Sequence, residues 1–138
     1  MIARLFLLAH GRSGDKGDSV NIGVIARREE WFEFIRKQLD AKRVAKFLKP
    51  LASGPVERYE LPNLGALNFL VHGALDGGGS LSMRLDAQGK TYAQAIMRMP
   101  LDLPDKLASE VKKHWGKKLP ADCVVGEKKK PTATKSRK

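Results

Sequence analysis

An α+β domain, with a mixed or antiparallel sheet and helices mainly on one face, is what this 138-residue sequence predicts. Three observations carry the prediction. Short apolar runs alternate with polar residues and end at glycine or proline, the period and punctuation of strands. Two longer segments, 28–51 and 104–116, repeat their apolar residues at helical spacing. The runs follow the order strand, strand, helix pair, strand, helix, strand, strand, helix, so that helices join hairpins.

The elements can be justified in turn. Ile2 to Leu8 is apolar apart from Arg4 and reads as a buried strand. Residues 11–18, Gly-Arg-Ser-Gly-Asp-Lys-Gly-Asp, combine glycines at three-residue spacing with charges and are expected as a loop. Val20, Ile22, Val24 and Ala26 alternate along a second strand. Trp31, Phe34, Ile35 and Leu39 share one helical face, and Val44, Phe47, Leu48 and Leu51 repeat it. Asp40 between the two sets can cap the second helix. Val44, Phe47 and Leu48 are expected in the core.

Val56 to Leu61 alternates and carries charge, as an exposed edge strand does. Leu64, Leu67, Val71 and Leu75 suit a helix started by Pro62-Asn63, with Asn63 as its N-cap, and ended by Gly77-Gly78-Gly79. Leu81, Met83 and Leu85 alternate with polar residues, Tyr92 to Met99 is the next expected strand, and Gly89 between them suggests a hairpin. Pro104-Asp105 opens a last helix, with Leu107, Val111 and Trp115 inward and Gly116 at its end. Domain boundaries are expected at 1–125 for the folded body and 126–138 for a disordered basic tail.

Composition narrows the function. At 42% hydrophobic residues the chain is globular in character. No run approaches the roughly 20 apolar residues of a membrane span. The apolar start is interrupted by His10 and Arg12 and is too short for a signal peptide, so a cytoplasmic protein is expected. Cys123 is the single cysteine, which excludes an intramolecular disulfide and a cysteine-based metal site; it is expected as a half-buried small residue. The net charge is +11, and close to half of it lies in the tail, where six cationic residues face Glu127 alone. A basic body favours an anionic ligand or partner. The tail lacks the interleaved aromatics that stack on bases, so nucleic acid is not the expected partner.

The candidate site is the segment around the glycines. Gly14 and Gly17 let backbone N–H groups converge on an anion, while Arg12 and Lys16 supply charge. Asp15 and Asp18 are alternatively suited to a hard cation, and Ser13 adds a hydroxyl. The same residues also suit a tight charged turn whose aspartates cap backbone groups. His10 is either a general base or a histidine hydrogen-bonded at a strand end. His72 is expected on a helix, and His114, among lysines, in solvent. Asn68 either faces a site or packs as an exposed polar group. No spacing marks a metal motif or a catalytic triad, and no cofactor is indicated.

The segment from Ala9 to Arg27, Ala-His-Gly-Arg-Ser-Gly-Asp-Lys-Gly-Asp-Ser-Val-Asn-Ile-Gly-Val-Ile-Ala-Arg, resembles the opening of the C-terminal domain of the acyclic terpene utilisation A (AtuA) family. Two further blocks are similar to the same family, from Arg58 to Phe69 and from Gly73 to Thr91. Gly11 stands where the family is expected to have alanine. The resemblance spans about residues 3 to 100 and implies a single ferredoxin-like domain. It implies a link to breakdown of acyclic terpenes through CoA thioesters, but carries no catalytic residue over. The family's larger members place another domain before this one.

The leading expectation is therefore an accessory or binding subunit that acts with a separate protein resembling that N-terminal domain. Its expected ligand-binding residues are His10, Arg12, Ser13, Gly14, Asp15, Lys16, Gly17, Asp18, Asn21, Asn63 and Asn68. The expected ligand is an acyl-CoA or another anion, and a homo-oligomer is expected. One alternative is a self-contained enzyme acting on CoA thioesters at an oligomer interface. Another, resting on charge alone, is a nucleic-acid-binding protein.

Overall fold

The computed structural model describes residues 1–74 and 92–127. Among these residues seven strands form two antiparallel sheets. β2 (Ala9–Lys16), β3 (Ser19–Ala26), β4 (Val56–Leu61) and β5 (Ala66–Val71) make a four-stranded sheet in the order β2-β3-β5-β4. β1 (Ile2–Arg4), β6 (Pro100–Asp102) and β7 (Val124–Gly126) make a three-stranded sheet in the order β6-β1-β7. The helices are α1 (Phe32–Gln38), α2 (Ala41–Leu48), α3 (Tyr92–Met97) and α4 (Asp105–Trp115).

The larger sheet has a split β-α-β at its centre. β3 and β4 both pair antiparallel with β5, which lies between them, and α1 and α2 make the crossover. This arrangement is the hallmark of a ferredoxin-like domain. Val20, Ile22 and Val24 of β3 and Leu67, Phe69 and Val71 of β5 bury one face of the sheet against the helices. Period-2 burial on both strands accounts for that layer.

Several expectations hold in detail. The break at Asp40 is real: its Oδ1 accepts a hydrogen bond from the Arg43 N–H at 2.7 Å and caps α2. Val44 and Leu48 are buried, while Phe47 is only partly buried against the core. β4 is a charged edge strand, tied to α1 by Arg58, which bridges Glu60 at 3.0 Å and donates to the Arg36 carbonyl at 2.8 Å. α4 ends at Gly116, whose φ of 55° suits glycine.

Four expectations are corrected. The residue 11–18 loop is not a loop. It forms most of β2, paired in continuous register with β3, and only Gly17-Asp18 turn. Gly11 lies in this strand because α3 packs closely over it: a Cβ there would meet the Met97 Cε at 2.9 Å. The helix expected from Leu64 is instead β5, preceded by a single 3-10 turn at Pro62–Leu64. Asn63 caps nothing, since that turn has Leu61 as its N-cap and no side-chain cap bond. Tyr92–Met97 is a helix rather than a strand, with Tyr92, Ala93, Ile96 and Met97 buried. The single strand expected over Ile2–Leu8 breaks at a 3-10 turn, Leu5–Leu7, which carries the chain from one sheet to the other.

The other half of the expected hairpin, Leu81 to Leu85, lies outside the described residues, as do the three glycines 77–79 and the tail beyond Glu127. Among the described residues no helix is long and apolar enough to cross a membrane.

Candidate functional site

Because residues 11–16 form a strand, alternation sorts the expected site residues onto two faces. Ser13 points inward. It is buried, and its hydroxyl oxygen accepts a hydrogen bond from the Ala93 N–H at 2.9 Å, fixing the start of α3. Asp15 falls in phase with Ser13. Arg12, Gly14 and Lys16 fall on the opposite, outer face. Asp15 is thus out of phase with the cations, although it lines the same shallow depression, and the segment's backbone runs in a ladder with β3 instead of curling round an anion. Gly17, with φ 64°, and Asp18 make the hairpin turn.

The outer face joins residues far apart in sequence. Arg12 lies opposite Gly23, Gly23 opposite Asn68, and Asn68 opposite Tyr59. The neighbouring row runs Gly14, Asn21, Leu70, Glu57. Gly14 and Gly23 leave a depression of about 400 Å³, rimmed by Arg12, Lys16, Asn21 and Ile25. Among the described residues neither Arg12 nor Lys16 has a carboxylate partner. The structure thus brings together Arg12, Gly14, Lys16, Asn21 and Asn68. Asn63 lies apart, exposed in the turn before β5.

The sequence reading missed the apolar part of this face. Ile25, Tyr59 and Leu61 are 46%, 50% and 44% exposed, and Leu64 beside them is 69% exposed. Ile25 lies opposite Ala66, which lies opposite Leu61. The signal was available in strand alternation: with Val24 inward, Ile25 must face out. Tyr59 donates a hydrogen bond to the Glu57 carboxylate at 2.9 Å, which raises its pKa.

Of the three histidines only His10, opposite Ile25, shares this face. His72 is not on a helix but in the turn after β5, 3.1 Å from the Ser19 hydroxyl and 3.4 Å from the Glu57 carboxylate. His114 is exposed but stands edge-on to Trp31, with ring centroids 5.2 Å apart. His10 is exposed on β2, where the Arg27 Nη1 donates to its Nε2 at 3.2 Å. Arginine only donates, so the contact suits the neutral ring that accepts at Nε2 and carries its proton on Nδ1. Burial, and then the Arg27 charge, lower its pKa from 6.5.

The sign of the pH effect follows. Above pH 6.5 His10 is neutral in both folded and unfolded chains and costs nothing. As pH falls through 6.5 the unfolded chain takes up the proton first, so stability declines, and the loss is complete below the folded-state value. An NMR titration of the imidazoles should place the His10 midpoint below 6.5, and Arg27→Gln should move it upward. A midpoint at or above 6.5 would remove the Arg27–His10 contact from solution.

The AtuA ferredoxin-like domain model matches residues 3–102. The chain belongs to this family. No curated protein and no solved structure matches it. The AtuA ferredoxin-like match covers both faces of the four-stranded sheet but stops before α4 and β7, which are built from residues 105–126. That extension is still joined to the body. Trp115 Nε1 donates to the Leu7 carbonyl at 2.9 Å, and β7 pairs with β1. Among the described residues no three His, Cys, Asp or Glu side chains form a metal-binding group.

Proposed function

We propose that this AtuA ferredoxin-like domain is a binding subunit whose outer sheet face docks a separate protein resembling the domain that precedes it in larger AtuA proteins. The supporting observation is that Ile25, Tyr59 and Leu61 are all exposed on one sheet face, with Ala66 between Ile25 and Leu61, and that Ile25 borders Arg12 and Lys16, which have no carboxylate partner among the described residues. Exposed large apolar residues on one face, rimmed by charge, are what an association site presents. The apolar centre supplies the area, and the cations select an acidic counterpart. Work in acyl-CoA or acyclic terpenoid catabolism rests on family membership alone. A second reading draws on the glycine-floored depression, which can take an anionic group. It makes the chain a small enzyme acting on CoA thioesters where two copies meet.

Co-purification with a protein resembling the AtuA N-terminal domain tests the first reading, followed by calorimetry on the complex. The double variant Arg12→Ala, Lys16→Ala should fold normally, because both side chains lie on the outer face. It should weaken the complex by about 2 kcal/mol or more, since a charge-assisted hydrogen bond contributes roughly 1.5–3 kcal/mol. No complex with the wild type, or equal affinity in the variant, removes the outer face as the docking site. Turnover of an acyl-CoA by the purified chain would favour the second reading.

A further inference from the structure

We propose that the cavity at the junction of the two sheets binds an anionic amphiphile, a ligand with an apolar body and a phosphate or carboxylate head. This site borders the outer face at His10, which lies opposite Ile25, but does not depend on the docking reading. The cavity has a volume of about 840 Å³, inside the range of small-molecule sites. Its apolar lining includes Phe6, Ala9, Leu51, Met97 and Pro120. Its charged lining consists of Arg4, Arg27 and Arg98 against a single carboxylate, Asp122.

The geometry holds two of these cations in place without neutralising them. Arg4 donates from Nε to the Asp122 carbonyl at 3.0 Å and from Nη1 to the Arg98 carbonyl at 3.1 Å. Arg27 donates from Nε to the Phe6 carbonyl at 2.8 Å and from Nη1 to the neutral His10. Its guanidinium also lies over the rings of Phe6 and Trp115, at 4.7 and 5.0 Å. Each contact fixes a guanidinium through an uncharged partner and leaves Nη2 of each arginine for a ligand. Arg98 is exposed, and among the described residues no carboxylate pairs with any of the three.

Three like charges around one cavity repel each other and raise the local positive potential. An anion entering from solvent relieves that repulsion. The remaining polar groups do not compete for it. Burial raises the Cys123 pKa and keeps the thiol neutral, and His10 is neutral as well. An apolar floor with three cations in the same lining selects a ligand with both characters over a simple salt or a simple alcohol. Pro120, Asp122 and Cys123 come from the extension beyond the family match, so that extension closes the site.

Calorimetry on the full chain with octyl phosphate, octanoate, octanol and inorganic phosphate tests this. Octyl phosphate or octanoate should bind at least about tenfold tighter than octanol and inorganic phosphate, and the stronger of the two identifies the head group. Arg98→Gln should weaken that ligand by about tenfold while leaving the melting temperature unchanged, because the Arg98 side chain holds nothing in place. Arg98→Glu should weaken it further. Tyr59→Asp on the outer face should have no effect. The proposal is overturned if neither anion binds, if octanol binds as well as the anions, if Arg98→Glu binds undiminished, or if Tyr59→Asp abolishes binding.

Discussion

Phe69→Ala should destabilise the domain by about 3–5 kcal/mol, the cost of truncating a fully buried phenylalanine. For a chain of this length that is a fall in melting temperature on the order of 10–20 °C. Phe69 is 0% exposed and sits on β5 between β3 and β4, opposite Ile22 and Arg58. Its ring fills the space between the sheet and the helices, where β3 and β5 contribute alternate apolar residues. Nothing in a sheet interior can collapse far to fill such a void, because the ladders on both sides fix the backbone. Asn68→Ala next to it removes an outer-face side chain and should cost far less. Thermal unfolding of the two variants checks the pair. Equal, small losses would mean that the segment does not pack as an alternating strand, and the split β-α-β would fall with it.

The same segment shows what could be read from sequence. Leu64, Leu67, Val71 and Leu75 match helical spacing, while Leu67, Phe69 and Val71 match strand spacing. The shared residues satisfy both periods over so short a run. What decides is tertiary: as a strand, this segment stands between β3 and β4 and satisfies both ladders. Residues 11–16 were misread for a related reason. Glycine and charge argue for a loop when the neighbours are unknown. In the fold, Gly11 and Ser13 are small because α3 lies on them, and β3 supplies the pairing. Tyr92–Met97 alternates weakly, but its alanines, glutamine and methionine favour helix, and its buried residues recur at helical spacing. By contrast, the capped α2, the charged edge strand β4 and the α4 exit at Gly116 carry their signals within a few residues, and all three were legible.

The candidate site divides in the same way. The charged cluster at residues 12–16 was visible in sequence, but which side chains share a face was not, because that follows from the strand assignment. Arg4, Arg27 and Arg98 are separated by most of the chain, and no local pattern links them. The antiparallel pairing of β1 with β6, which sets Arg4 opposite Pro100, brings Arg4 near Arg98.

Gly54→Ala should be the most damaging change of a surface-proximal residue, with a loss of about 3 kcal/mol or more, at or beyond the usual range for overpacking. A Cβ at residue 54 would lie 1.9 Å from the His72 carbonyl oxygen and 2.6 Å from its carbon. Those atoms are backbone, so no side-chain rotation relieves the clash. The obstructed residue is itself tied down: the His72 N–H donates to the Pro55 carbonyl at 3.0 Å, joining the entry to β4 with the exit from β5. Separating the two chains enough to admit a methyl group must break that bond and pull at the Val56–Val71 pair beside it. It also shifts His72 from Ser19, which lies 3.1 Å away. Gly73→Ala is the natural comparison. Gly73 has a φ of 62°, so alanine there is strained, but nothing lies within 4 Å of the added carbon. That variant should lose only the roughly 1–2 kcal/mol of a left-handed alanine. Chemical denaturation of both variants separates steric collision from backbone preference. A Gly54→Ala loss no larger than that of Gly73→Ala would show that the β4 entry can move aside, and that the close approach to His72 is not a fixed feature of the fold.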